Sequence, residues 1–160
     1  MAKKVSVLFV CLGNICRSPT AHAVFRNLVQ QEGLEGEIEI DSAGTGAYHV
    51  GHSPDKRSTQ VAHSRGIQMS DLTARAVDFG DFYQFDYLLA MDESNYRHLY
   101  EMALPEQRDK IHLFLTFSNE FTQTEVPDPY YGGPQGFEQV FDMIDSASHG
   151  LLNHLKQHHL

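Results

Sequence analysis

The chain has 160 residues, 41% of them hydrophobic and 21% charged, with a net charge of -9, which suits one folded domain over residues 1–160 and excludes a disordered or two-domain chain. The negative charge excludes nucleic-acid and anionic-membrane surfaces, both of which favour basic faces. No run approaches the ~18 apolar residues that span a bilayer, and the short apolar start lacks a signal-peptide cleavage pattern, so the expected setting is cytoplasmic.

In chain order, Val5 to Val10 is almost continuously β-branched and apolar, as in a strand buried on both faces of a parallel sheet. A turn follows. Ser18 and Pro19 read as N-cap and first residue of a helix, whose apolar face is Ala21, Val24, Phe25, Leu28 and Val29 and whose stop is Gly33. A strand from about Glu37 to Ser42, a glycine-rich turn over Ala43 to Gly46 and a polar loop through Ser53-Pro54 precede a helix from about Lys56 to Arg65, ended by Gly66. Phe85 to Met91 forms another apolar strand, Asp92 caps a helix to about Met102, and Lys110 to Leu115 is a further strand. Thr116 to Gln135 is a long polar segment with Pro and Gly, of the kind that is functional or disordered. The closing helix carries Phe137, Val140, Phe141, Ile144, Ala147, Leu151 and Leu155 on one face, and Gly150 inside it costs about 1 kcal/mol against Ala, which marks a weak point. Strands and helices alternate, the pattern of an α/β fold.

The two cysteines, Cys11 and Cys16, are too few for a structural zinc site, and a disulfide between them would close too small a loop to staple much. Their segment, Cys11-Leu12-Gly13-Asn14-Ile15-Cys16-Arg17, lies where open α/β sheets bind ligands, after a strand and before a helix. Amides there converge on one anion, the helix N-terminus adds roughly half a positive charge, and Arg17 can grip two phosphate oxygens. The same field favours the thiolate of Cys11. In-line attack on phosphorus then gives a phosphocysteine that water hydrolyses, with no metal or cofactor required. A phenolate leaving group needs a proton. Asp128-Pro129 on the long loop reads, by spacing alone, either as a turn or as that acid.

The stretch VLFVCLGNICRSPTAHAVF resembles the low-molecular-weight protein tyrosine phosphatases, and Asp41 to Thr45, Gly51 to Pro54, Phe85-Asp86-Tyr87, Met91 to Asn95 and Val126 to Tyr130 extend the likeness over essentially the whole chain. The resemblance implies a three-layer sandwich: a short central parallel sheet of about four strands, helices on both faces, and a phosphate-binding loop after the first strand. It implies Cys11 as nucleophile, Arg17 as phosphate clamp and Asp128 as general acid and then base. Leu12, Gly13, Asn14, Ile15, Cys16, Ser18 and Ser42 are implied as phosphate-binding or loop-supporting residues, with Ser18 bonding the Cys11 sulfur as well as capping the helix. One departure is Leu72, which stands where relatives often carry a histidine supporting Ser42.

Leu12 and Ile15 with Tyr48, Tyr130 and Tyr131 are expected to wall an apolar slot for an aryl ring, the alternative for each being ordinary packing. Ile15 stands where arginine-phosphatase relatives tend to have Thr, which favours phosphotyrosine. Cys16 reads as loop filler or as a redox partner of Cys11, and Tyr130 and Tyr131 as walls or as phosphorylation sites. His49/His52 and His154/His158 have metal-like spacing but no Cys or carboxylate companions, so no metal is expected. The implied partner is a phosphotyrosine-containing protein, a tyrosine kinase among the candidates, and the implied state a monomer or weak homodimer. Competing readings are an arsenate reductase, which needs thiols this chain lacks, a protein-arginine phosphatase, and a cysteine phosphocarrier or binding module, which needs no acid.

Overall fold

The computed structural model describes residues 4–131 and 134–160. Its centre is a parallel sheet in the order β2-β1-β3-β4, formed by β1 (Val5–Cys11), β2 (Ile38–Gly44), β3 (Tyr87–Ala90) and β4 (Ile111–Leu113). Every residue of β1 is buried, which is why its sequence lacks the polar alternation of a half-exposed strand.

Successive side chains of β1 enter opposite cores. Val5, Val7, Phe9 and Cys11 face α1 (Arg17–Gln31), α2 (Lys56–Ser64) and α5 (Pro134–His158), while Leu8 and Val10 face α3 (Asp81–Gln84) and α4 (Glu93–Met102). This is the expected sandwich with helices on both faces. Phe9 anchors the larger core by edge contacts with Phe25 and Phe114, at centroid distances of 5.7 and 5.0 Å. Asp92 caps α4 as expected, its side chain accepting from Asn95 N while the Asn95 side chain accepts from Asp92 N. Gly33 and Gly66 adopt the left-handed backbone just past α1 and α2.

The structure departs from the sequence reading in three places. The four-residue helix α3 carries too little periodicity to be read from sequence; Asp81 holds it, accepting from Asp78 N and from Arg75. Helix α1 begins one residue before Ser18, with Cys16 at the N-cap position and no side-chain cap, because the Ser18 hydroxyl is engaged elsewhere. Gly150 is a packing requirement rather than a weak point: a Cβ there would lie 1.7 Å from the Phe117 carbonyl oxygen, on the one-turn 3-10 helix Phe114–Phe117 that follows β4. Helix propensity alone makes Gly150→Ala stabilising by about 1 kcal/mol; the contact reverses the sign, and chemical denaturation is expected to show a loss of about 1–3 kcal/mol.

Candidate active site

Order β2-β1-β3 makes β1 and β3 neighbours whose chain connections leave in opposite directions, so a crevice opens beyond their carboxyl ends. Cys11 ends β1 there, and the chain turns sharply before entering α1. The turn faces its carbonyls outward. Those of Cys11, Leu12, Ile15 and Cys16 accept from the amides of Thr45, Gly46, Asp55 and Thr20 at 2.7–3.2 Å. The N–H groups of residues 12–17 donate to no protein atom among the described residues. They form a cradle for an anion at the start of a helix.

Two backbone features make the turn feasible. Asn14 sits at φ 57°, in the left-handed region that Asn tolerates better than most residues. Gly44 on β2 passes so close that a Cβ would lie 2.7 Å from the Leu12 carbonyl oxygen. Both ends of the Asn14 amide are engaged: Oδ1 accepts from Arg75 N at 3.0 Å and Nδ2 donates to Ser18 Oγ at 2.7 Å. The Ser18 hydroxyl lies 3.0 Å from the Cys11 sulfur, to which it can donate when the sulfur is an anion, and 3.4 Å from the Ala43 carbonyl.

Arg17 is 5% exposed, and its Nη1 donates to Asp92 Oδ2 at 2.7 Å and to the Val126 carbonyl at 3.0 Å. The Nε and Nη2 edge has no protein partner among the described residues, and this edge matches two oxygens of a tetrahedral oxyanion. Burial works against the charge of Arg17, but the negative field of Cys11, and after it Asp92, outweighs that effect and raises its pKa. Burial, followed by Asp55, pushes the Cys16 thiol up to about 12, so it is a neutral thiol at physiological pH.

Asp128 reaches the same crevice from the segment after β4. Val126 N donates to the Met91 carbonyl at 2.8 Å, which ties this segment to the end of β3, and Asp128 Oδ1 accepts from Tyr130 N at 3.0 Å. Cys11, Leu12, Gly13, Ile15, Cys16, Arg17, Tyr48, His49, Asp128 and Tyr130 line one cavity of about 190 Å³. That is below the roughly 300–1,000 Å³ of drug-sized ligand sites and suits the head of one side chain rather than a large cofactor.

Of the residues singled out in the sequence, all those in the loop meet here, with Asn14 and Ser18 beneath the cradle rather than lining it. Tyr48 and Tyr130 are exposed rim walls, 74% and 56% accessible. The Tyr131 side chain lies outside the described residues. Ser42 is buried behind the loop, and its hydroxyl lies 3.1 Å from His22 Nδ1 on α1. The histidine in contact with Ser42 thus comes from α1, while Leu72 packs against the larger core.

Sequence reasoning missed Asp92 as the carboxylate that orients Arg17, His22 as the partner of Ser42, His49 as a wall, and Arg75 as the donor that fixes Asn14. Asp92 was readable only as a cap; the signal for its second role is its place directly after the strand beside β1.

Residues 6–159 match the sequence profile of the family described as low molecular weight phosphotyrosine protein phosphatase. The Schizosaccharomyces pombe protein of that name is 46% identical, over 95% of this chain and 97% of its own. The Bacillus subtilis low molecular weight protein-tyrosine-phosphatase YfkJ is 43% identical, over 92% and 94%. The solved structure of YfkJ superposes with a TM-score of 0.94 at 40% identity, covering 99% of both chains. A protein tyrosine phosphatase from Entamoeba histolytica superposes with a TM-score of 0.93 at 42% identity, covering 98% of this chain and 100% of its own.

The His22 contact generates a pH dependence. Burial pushes the His22 ring down to about 4, Asp41 opposing this and Arg26 adding to it. The unfolded chain takes up this proton near pH 6.5 and the folded chain only near 4, so stability falls with acid across that window, by up to about 3 kcal/mol. The measurement is denaturant unfolding between pH 7 and 4. His22→Gln, which cannot titrate, is expected to show a shallower decline than the parent protein; parallel curves would remove His22 from the account.

Proposed function

The chain belongs to the low molecular weight phosphotyrosine protein phosphatase family, and we propose that it hydrolyses phosphotyrosine through a phosphocysteine on Cys11, with Asp128 as acid and then base. One observation carries this reading: a cysteine sulfur, a set of loop amides with no partner among the described residues, the edge of a buried arginine and a carboxylate share one cavity. Residues 1–160 act in it as one domain.

In the first step the Cys11 sulfur forms a bond to phosphorus as the ester P–O bond breaks, and the Asp128 carboxyl gives its proton to the departing tyrosine oxygen. In the second, Asp128 takes a proton from water as the water oxygen bonds to phosphorus and the S–P bond breaks, releasing inorganic phosphate and the Cys11 thiolate. The loop amides and the Nε/Nη2 edge of Arg17 bind the equatorial oxygens throughout. The Ser18 hydroxyl stabilises the sulfur anion as it leaves. Leu12, Ile15, Tyr48 and Tyr130 hold the aryl ring, and the bulk of Ile15 favours an aryl group over a guanidinium. Asp128 beside the cradle favours a hydrolase over a phosphocarrier, which keeps its phosphocysteine.

The fold also supports a redox role for Cys16, which lines the same cavity. Peroxide oxidises the Cys11 thiolate to a sulfenic acid and releases hydroxide. Attack by the Cys16 sulfur then forms the S–S bond, breaks the S–O bond and releases water, and an external dithiol restores both thiols. A reducing compartment such as the cytoplasm suits a protein with two free thiols; no helix among the described residues is long and apolar enough to cross a membrane. The partners are phosphotyrosine proteins, tyrosine kinases included, met by a monomer or weak homodimer.

Steady-state kinetics on a phosphotyrosine peptide tests the roles. Cys11→Ser is expected to abolish turnover, and Asp128→Ala to lower kcat by about 10²–10⁴-fold with inhibition by inorganic phosphate retained. Unchanged turnover in either variant overturns its assigned role. After peroxide and then dithiol treatment, Cys16→Ser is expected to recover less activity than the parent protein; equal recovery refutes a protective disulfide.

A further inference from the structure

Arg57, on the first turn of α2, lies outside the cavity lining but touches both halves of the site. Its guanidinium carbon is 4.5 Å from the centre of the Tyr130 ring and 4.6 Å from that of Phe137, so the group is wedged between the Asp128 segment and α5. Flat cations hold aromatic faces in this way. On its other side, Arg57 Nε and Nη2 donate to the two oxygens of Asp55, at 3.3 and 3.2 Å. The Asp55 amide in turn donates to the Ile15 carbonyl of the phosphate loop at 2.7 Å.

Tyr130 is the residue whose N–H bonds Asp128 Oδ1. A continuous set of contacts therefore runs from the loop carbonyl of Ile15 through Asp55, Arg57 and Tyr130 to the Asp128 carboxylate. The Asp128 segment has a second seat on α5, where a Cβ at Gly136 would come 2.9 Å from the Pro129 carbonyl oxygen. That contact fixes the chain after Asp128 in one direction. The Arg57 wedge fixes the Tyr130 ring, and through its amide the carboxylate, in another.

We propose that Arg57 is a positioning residue for the general acid, holding the Asp128 carboxylate at the leaving-group side of the phosphate cradle. The proposal rests on the roles assigned above to Cys11 and Asp128. Arg57 touches no reacting atom, so its loss should leave phosphate binding and sulfur attack intact and should weaken only the two proton transfers of Asp128, of which the first concerns the leaving group.

The test compares two substrates that differ in their need for that proton. Phosphotyrosine releases a phenol of pKa about 10, which needs the acid, whereas a dinitrophenyl phosphate releases an anion that leaves unprotonated. For Arg57→Ala, kcat/KM, which reads only the transfer to Cys11, is expected to fall about tenfold on phosphotyrosine, part of the 10²–10⁴ a general acid contributes, while kcat/KM on the dinitrophenyl ester and inhibition by inorganic phosphate stay within about twofold. In an Asp128→Ala background the Arg57 change should add nothing, since the group it positions is gone.

Arg57→Lys keeps a charge beside Asp55 but lacks the flat face between the rings, and should show the same selectivity at smaller amplitude, which keeps the test available if the alanine variant fails to fold. An equal loss of kcat/KM on both esters, a full effect in the Asp128→Ala background, or parental rates in Arg57→Lys overturns the positioning role. If the parent protein cleaves neither ester, or Asp128→Ala leaves phosphotyrosine turnover unchanged, the underlying mechanism fails instead, and the two results are told apart.

Discussion

Residues 12–17 turn their amide hydrogens to one side and their carbonyls to the other, and most contacts around the site serve to keep them so. Aligned amide dipoles repel one another, so the arrangement is costly until an anion arrives and must be imposed from outside. Every outward carbonyl named above has a donor from a different part of the chain: the turn after β2, the start of α2, or α1 itself. The left-handed Asn14 and its bonds to Arg75 and Ser18 close the turn from beneath. In the proposed reaction this backbone and the Arg17 edge would hold the anion, and the surrounding side chains would decide what it is attached to.

A protein of net charge -9 must build attraction for phosphate locally. The arginine proposed for that task is buried, partly neutralised at Nη1 by Asp92 and without a partner along its other edge among the described residues. Burial, and after it Asp55, disfavours the anion of Cys16. The negative field of Cys11 in turn supports the charge of Arg17.

The strands, the amphipathic helices and the loop are legible because each rests on local pattern, an unbroken apolar strand, amphipathic periods, caps and glycines at helix ends, whereas the layering of helices on both faces came with the family resemblance. Asp92 shows where legibility stopped. Its capping role is written in its neighbours, Glu93 to Asn95, but its bond to Arg17 depends on β3 lying beside β1, which no local pattern states. His22 and Ser42 are 20 residues apart and meet only because α1 returns along β2. Local pattern shows Ser18 only as a cap, and its contact with the Cys11 sulfur came from the family resemblance, since nothing short-range distinguishes a hydroxyl that closes a helix from one beside a sulfur. Gly150 was misjudged for the same reason: propensity concerns the helix alone, and the Phe117 carbonyl that needs the space arrives from the turn after β4.

Helix α5 adds eight apolar side chains from Val140 to Leu155 to the core on one face of β1, and it is made after everything it covers. On a translating ribosome, β1 to β4 can pair while only α1 and α2 cover that face, so the nascent chain carries an apolar strip until α5 emerges. Parallel sheets, with their distant pairings, already assemble slowly, and such half-built intermediates are the ones that clump or recruit chaperones. The same dependence makes the chain intolerant of truncation or of bulky fusions within α5, while the polar surface of α4 on the opposite side is the safer place for a label.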